Sequence, residues 1–374
     1  MAGIYIHIPY CKKACHYCNF HFSTTRYNMP AMVQAIIEEA GLRAGYIKGN
    51  ISTIYFGGGT PSILLTDDCS LMLEKMYRLF DVDDNVEITL EANPDDINEQ
   101  KLAIWRQAGI NRLSIGVQSF FEDDLRWMNR AHSTAQAMQS IQRAQEAGFD
   151  NITIDLIYGT PTLTDEQWKH NVQTAVSLNI AHLSCYALTV EPKTALEKMI
   201  AAHKITPVDA EKQSRHFELL MQWMHDAGYE HYEISNFAKP GMRSRHNSNY
   251  WKGAHYIGLG PSAHSFNGVS RQWNIANNAL YLESLSKNVI PFEIEYLTRP
   301  QQLNEYIMTS LRTMEGLSLQ YVDERWGSGF VKELENEAAT FLKAERMVIK
   351  DNHMILTNTG KLFADGIAAA LFVL

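Results

Sequence analysis

A strand-like segment with one apolar and one polar face recurs through the first half of the chain, and each copy is followed by a helix-like segment. Ile4, Ile6 and Ile8 alternate with Tyr5 and His7, Ile54 and Phe56 with Thr53, Tyr55 and Gly57. Val86, Ile88 and Leu90 alternate with Glu87, Thr89 and Glu91, and Leu113, Ile115 and Val117 with Ser114, Gly116 and Gln118. Ile152, Ile154 and Leu156 alternate with Thr153, Asp155 and Ile157. Successive side chains leave a strand on opposite faces, so each segment separates its apolar from its polar residues. Strands are expected at 3–8, 52–57, 86–91, 112–118, 151–157, 181–187 and 230–234, with helices at 29–46, 67–80, 98–108, 134–147, 165–178 and 209–227. Helical crossovers join parallel neighbours in right-handed βαβ units. The apolar faces belong beneath the helices, so the polar faces converge inside. A closed eight-stranded barrel fills its interior with branched apolar side chains, and buried carboxylates and amides need partners. The expected fold is therefore α/β, a partial, open (β/α)6-type TIM-like barrel whose interior holds a polar ligand.

The alternation stops near residue 285. Helices are expected at 300–314, 318–326 and 330–344, then a hairpin from 346–349 and 354–357 around Asp351-Asn352, then a terminal helix. That order is winged-helix-like, which divides the chain into a barrel domain at 1–285 and a smaller, mainly helical domain at 286–374. From Pro291 onward there are 8 Lys and Arg against 12 Asp and Glu, and the whole chain carries a formal charge of −9. Binding to nucleic acid relies on neutralising phosphates, so no nucleic-acid partner is expected, and the second domain reads as a packing or partner-docking unit. No apolar run approaches the ~20 residues that span a bilayer. No basic segment followed by a long apolar one opens the chain, so the cytoplasm is the expected location.

Three of the five cysteines fall within eight residues, Cys11-Lys12-Lys13-Ala14-Cys15-His16-Tyr17-Cys18, a C-x3-C-x2-C pattern in the loop after the first strand. Loops after barrel strands are where such folds place reactive residues. Three thiolates hold three irons of a [4Fe-4S] cubane and leave the fourth open, whereas electron-transfer clusters ordinarily take four cysteines. An open iron can chelate the amine and carboxylate of S-adenosylmethionine (SAM), and electron transfer into its sulfonium yields a radical. A zinc site with His16 or His21 as fourth ligand is the alternative, and chance clustering of buried thiols the bland one. A c-type heme attachment fails because Asn19, not histidine, follows Cys18. Cys69 and Cys185 read as core residues.

The run Ile6-His7-Ile8-Pro9-Tyr10-Cys11, continued by Cys15, Tyr17 and Cys18, resembles the radical SAM branch that contains oxygen-independent coproporphyrinogen III dehydrogenase and the HemW heme chaperones. The resemblance runs in order through Gly57-Gly58-Gly59-Thr60-Pro61-Ser62, Glu91-Ala92-Asn93-Pro94, Gly116-Val117-Gln118-Ser119-Phe120, Asn129-Arg130 and Ile154-Asp155-Leu156-Ile157-Tyr158-Gly159, and covers essentially the whole chain. It implies that Gly58, Gly59 and Thr60 contact the methionine amino end of SAM, where glycine lets backbone approach closely. It further implies that Glu91 pairs with the ligand's positive charge, that Gln118 and Asp155 meet the ribose hydroxyls, and that Arg130 lies near the SAM carboxylate. Tyr5, Ala187 and His264 match further positions lining that site. Read without the resemblance, the glycine loop is a strand-ending turn and the carboxylates and amide an internal polar network. The loop lacks the Gly-Lys-Ser/Thr ending of a triphosphate loop, and Gly258-Leu259-Gly260-Pro261-Ser262-Ala263 lacks the strand–helix setting of a dinucleotide fingerprint.

Two features turn the reading from the dehydrogenase toward the chaperones. The dehydrogenase pattern resembles C-x3-C-x2-C-x-C, but position 20 is Phe20. His246-Asn247-Ser248-Asn249-Tyr250-Trp251 is H-N-x-x-Y-W, similar to a heme-chaperone motif, within a heme segment near 240–266. Heme calls for an imidazole, flat aromatic packing and cations for its propionates. His246, Tyr250 and Trp251 are the expected heme residues, with Arg243 and Arg245 for the propionates. A surface loop is the reading of these residues by themselves. The expected function is a heme carrier with a [4Fe-4S] cluster and exchangeable SAM, delivering heme to a hemoprotein acceptor, respiratory ones included, with transient association at a membrane. The alternatives are oxidative decarboxylation of coproporphyrinogen III and radical SAM chemistry on another substrate.

Overall fold

A computed structural model describes residues 2–373. Six strands, β1 (Ala2–Ile8), β2 (Ile51–Gly58), β3 (Val82–Ala92), β4 (Arg112–Gln118), β5 (Ile152–Tyr158) and β6 (His182–Ala187), pair in chain order and in parallel. The crossovers contain helices α1 (Met29–Leu42), α2 (Thr66–Leu79), α3 (Glu99–Gln107), α4 (Glu122–Trp127), α5 (Thr134–Glu146) and α6 (Asp165–Ser177). After β6 come α7 (Ala195–Ala201), α8 (Ala210–Asp226) and the hairpin β7 (Glu230–Glu233) and β8 (Asn236–Ala238). The chain then forms α9 (Arg245–Trp251), β9 (His255–Leu259), β10 (His264–Phe266), β11 (Ser270–Asn274), α10 (Asn278–Leu285) and β12 (Phe292–Tyr296).

The strand order is β12-β11-β10-β9-β1-β2-β3-β4-β5-β6-β8-β7, so the sheet ends in two edges and stays open, as the polar inner faces require. The expected segment at 230–234 is present, but it belongs to the edge hairpin, with β8 antiparallel to β6. On the far side β9 adds parallel to β1, and β10 to β12 continue antiparallel. These short strands carry too little periodicity to be read from sequence.

The two faces divide as the alternation predicts. Ile4, Ile6, Phe56, Leu90, Ile115 and Leu156 join one apolar core with Ile36, Met72, Leu102, Ile141, Val172 and Leu220 from the helices. Each such side chain contributes roughly 1.5–3 kcal/mol on full burial. On the inner face Thr53, Thr89, Ser114, Thr153, His182 and Ser184 are buried polar residues. Helix starts are set locally: Ser133 with Gln136 and Thr164 with Gln167 form capping boxes at α5 and α6, each cap contributing about 1 kcal/mol.

A second apolar core gathers Leu303, Ile307, Val322, Trp326, Leu334, Met354 and Ile367. Its elements are α11 (Arg299–Ser310), β13 (Leu317–Ser318), α12 (Leu319–Trp326), α13 (Ser328–Lys343), β14 (Met347–Lys350), β15 (His353–Leu356), α14 (Asn358–Lys361) and α15 (Ala364–Ala370), with a three-stranded sheet ordered β13-β15-β14. Because β12 still extends the large sheet, the change of core follows it rather than falling at 285/286. Buried Glu233 accepts a hydrogen bond from Arg312 Nε at 3.0 Å and ties this unit to the edge hairpin.

Candidate functional site

The cysteine loop is held by backbone bonds to its surroundings. Cys11 N–H donates to Ser23 O at 3.0 Å, Ser23 N–H to Pro9 O at 2.9 Å, and His16 N–H to Met128 O at 3.1 Å. Cys11, Cys15 and Cys18 are all half-buried. Burial pushes the Cys11 thiol up to about 12, with the neighbouring Cys18 and Cys15 adding to the rise. Burial raises the Cys18 thiol as well, so ionising Cys11 and Cys18 needs a compensating cation, which iron would supply. Thr60 Oγ1 donates to Cys11 Sγ at 3.3 Å, and Arg130 Nη1 to Cys15 Sγ at 3.4 Å. Among the described residues no three His, Cys, Asp or Glu side chains converge on one ion. A cubane anchors each thiolate on a different iron, and three cysteines on one loop are the chemistry of such a donor set. His16 Nδ1 is bound to Trp127 O at 2.9 Å and His21 Nε2 to Asn278 Oδ1 at 2.7 Å.

The residues read as SAM contacts gather at the carboxyl end of the strands, beside this loop. Gly59 N–H donates to Ile8 O at 2.9 Å and Thr60 N–H to Tyr10 O at 2.7 Å, which fastens the glycine loop to the cysteine loop. A Cβ on Gly59 would lie 2.6 Å from Tyr10 O, and Gly58 has φ +104 with the His7 ring against it. Only glycine satisfies both positions. Glu91 accepts from Tyr55 Oη at 2.8 Å and from Gly58 N–H at 3.2 Å. Burial raises its carboxyl to about 7 and that of Asp155 to about 6. Two carboxyls so close to neutrality suit a cationic, hydroxyl-bearing ligand. Arg130 Nη2 bridges Asn93 Oδ1 at 2.8 Å and Gly116 O at 2.7 Å, while its buried Nε has no partner. Gln118, at φ +66, is buried next to Gly116 and Arg130. Tyr5 O–H donates to His7 Nδ1 at 3.2 Å, and His7 Nε2 donates to His21 O at 2.9 Å. Ala187, at the end of β6, and His264, exposed on β10, stand farther around the rim.

Inside the sheet a polar cavity of about 50 Å³ is lined by Tyr55, Glu91, Arg112, Ser114, Asp155 and Ser184, among others. Arg112 and Ser184 are not singled out by the sequence, and Asn93 figures there only within the Glu91-Ala92-Asn93-Pro94 motif, without a role. Ser114 is visible in its strand's polar alternation, but nothing local marks Arg112 at the start of β4.

The expected heme residues divide. Helix α9 closes the opposite, amino-terminal end of the strands. Its first N–H groups, from Arg245 and His246, donate to Glu87 Oε2 and Oε1 at 3.2 and 3.0 Å. His246 is buried, with Nδ1 bonded to Thr53 Oγ1 at 2.8 Å and Nε2 to Tyr250 Oη at 2.9 Å. Its ring stacks on Tyr55 at 4.8 Å and lies 6.5 Å from Tyr5. Burial, with Arg112 nearby, lowers its pKa to about 3. Both ring nitrogens of His246, an expected heme residue, are engaged in these hydrogen bonds within this arrangement. Arg243 is paired with Glu230 and Glu315, whereas the Arg245 side chain donates from Nη1 to Asn85 O and has no carboxylate partner among the described residues. Tyr250 and Trp251, in contrast, line a cleft of about 790 Å³ between the amino-terminal end of the sheet and the second unit.

The chain matches the Radical SAM superfamily over residues 5–175. It is 33% identical to the protein named heme chaperone HemW of Bacillus subtilis (strain 168), covering 99% of both chains. It is 32% identical to that of Mycobacterium tuberculosis (strain ATCC 25618 / H37Rv), over 99% of this chain and 94% of the other. With the HemW of Escherichia coli (strain K12) identity is 35%, over 70% and 69% of the two chains. The solved structure of coproporphyrinogen III oxidase (HemN) from Escherichia coli, a radical SAM enzyme, superposes with a TM-score of 0.85 at 24% identity, covering 100% of this chain and 90% of that one. At that identity the likeness concerns the fold.

Proposed function

This chain belongs to the HemW family of the radical SAM superfamily, and from that premise we propose that it carries heme to a hemoprotein acceptor while holding a [4Fe-4S] cluster and SAM at the other end of its sheet. The observation that carries the reading is the placement of Tyr250 and Trp251, from the H-N-x-x-Y-W segment, on the wall of the 790 Å³ cleft. Small-molecule sites commonly measure ~300–1,000 Å³, so the cleft has room for a tetrapyrrole that the 50 Å³ interior cavity lacks.

The donor set at the carboxyl end fits the cluster and SAM. Cys11, Cys15 and Cys18 would hold three irons, and a bound cluster with SAM supplies one-electron reduction of the sulfonium. Thr60 and Arg130 direct polar hydrogens at Cys11 and Cys15 and so stabilise thiolate charge. The ionised Glu91 would meet the ligand's ammonium group, and Asp155 and Gln118 its hydroxyls. Tyr5, packed between His7 and His246, separates the two ends of the sheet. Among the described residues no helix is long and apolar enough to cross a membrane, so delivery to a membrane-bound acceptor would proceed by docking.

Anaerobic reconstitution followed by titration with heme and, separately, coproporphyrinogen III tests the reading. Stoichiometric heme uptake without protoporphyrinogen is expected. Protoporphyrinogen formed in many turnovers would replace the carrier with the decarboxylase. Replacing any one of Cys11, Cys15 and Cys18 by serine is expected to remove the iron–sulfur absorption while leaving the fold's circular dichroism intact.

A further inference from the structure

The interdomain cleft has a chemistry narrower than its size. Tyr250, Trp251, Tyr256 and Phe266 line it from the α9–β10 side, and Tyr306 and Trp326 from the second unit. Such walls suit a flat aromatic ligand. Four arginines lie over aromatic rings around it, but Arg243 is committed to Glu230 and Glu315, Arg271 to Glu305, and Arg312 to Glu233 and Asp365. Arg325, 5.2 Å over the Trp326 ring, and Lys252 line the same cleft, and among the described residues neither has a carboxylate partner. Arg325 donates only to the neutral Tyr321 Oη and Gln302 Oε1, so two cations unneutralised by carboxylates stand beside aromatic walls, which calls for a flat ligand with two negative groups.

Two histidines also reach this cleft, His255 and His353. His353, on β15, donates from Nδ1 to Asp351 O at 2.8 Å. That bond fixes the tautomer and leaves the Nε2 lone pair without a protein partner, the arrangement that metal-ligating histidines adopt, where a carbonyl orients the ring and raises its basicity. His255 has no hydrogen bond that orients its ring among the described residues. His246, in contrast, spends both nitrogens on Thr53 and Tyr250.

We infer that the cleft between α9 and the second unit is the heme seat, with His353 as an axial ligand, Arg325 and Lys252 on the propionates, and His246 as a positioning residue that holds Tyr250. This rests on the carrier reading above. The motif histidine then acts through α9, and the second unit takes part in binding cargo, not only in packing.

The test is hemin titration of the reconstituted full chain, read by absorption and electron paramagnetic resonance. His353→Ala is expected to weaken binding on the order of tenfold or more and to change the ligand-field signature, with added imidazole restoring it. His246→Gln, which keeps a donor and an acceptor, is expected to leave that signature unchanged. Combined Arg325→Gln and Lys252→Gln is expected to weaken hemin binding but leave hemin dimethyl ester unaffected. If His353→Ala leaves affinity and spectrum as they were, the assignment fails and the carrier reading stands; a ligand field altered by His246→Gln would then return the ligand to the motif histidine. If the unsubstituted protein takes up no heme, the carrier reading falls and the assignment with it. Melting curves for each variant separate ligand loss from unfolding.

Discussion

Replacing Glu91 with glutamine should make the cofactor-free protein more stable at alkaline pH and weaken its hold on SAM. The carboxyl stands among Tyr55, Gly58 and Asp155, and burial raises it from 4.5 to about 7. Below pH 4.5 it is protonated both folded and unfolded, and no penalty exists. Between 4.5 and about 7 the unfolded chain loses its proton first, so folding stability falls as pH rises, and above about 7 the penalty is complete. At 1.36 kcal/mol for each tenfold change in proton affinity, the full penalty is about 3 kcal/mol. Glutamine keeps an acceptor for Tyr55 O–H but carries no charge. Urea denaturation of cofactor-free protein at pH 5 and pH 8 should show wild type losing stability over that interval, beyond the smaller contribution of Asp155, whose carboxyl is raised to about 6. Glu91→Gln should lose markedly less. SAM affinity of the reconstituted wild type should rise as pH passes through 7, because the cationic ligand meets an ionised partner. Identical pH dependence in the two proteins, in both measurements, would refute the reasoning.

A methyl at position 59 would sit 2.6 Å from Tyr10 O and 2.7 Å from Ile8 O, so Gly59→Ala should separate the glycine and cysteine loops and lower iron content after reconstitution, by iron and sulfide assay, with a stability loss of roughly 1–3 kcal/mol. Arg312→Met leaves buried Glu233 without its cation and should cost about 3 kcal/mol, read by urea denaturation; a loss below 1 kcal/mol would show that Ser235 and Asn236 satisfy the carboxylate by themselves. Glu87→Gln removes the charge that receives the first N–H groups of α9 and should cost about 1 kcal/mol. Its signature is faster amide exchange confined to residues 245–251.

The barrel was legible because its strands are buried on one side by helices and on the other by polar neighbours, which writes a period of two directly into Ile4-Tyr5-Ile6-His7-Ile8 and its counterparts. The cysteine spacing and the glycine loop were legible for a similar reason, since each acts through residues adjacent in sequence. By itself the sequence determined a polar-lined open sheet with three thiols at its carboxyl end. Tertiary structure decided the rest, because those interactions join distant segments. Helix α9 has only seven residues, and its N-terminus is satisfied by Glu87, more than a hundred residues earlier. The fate of His246 depended on Thr53 across the sheet, which no motif records. The cleft exists only where that helix faces the second core, so a histidine on β15 and an arginine on α12 come together with Tyr250 and Trp251 through packing that no local pattern encodes.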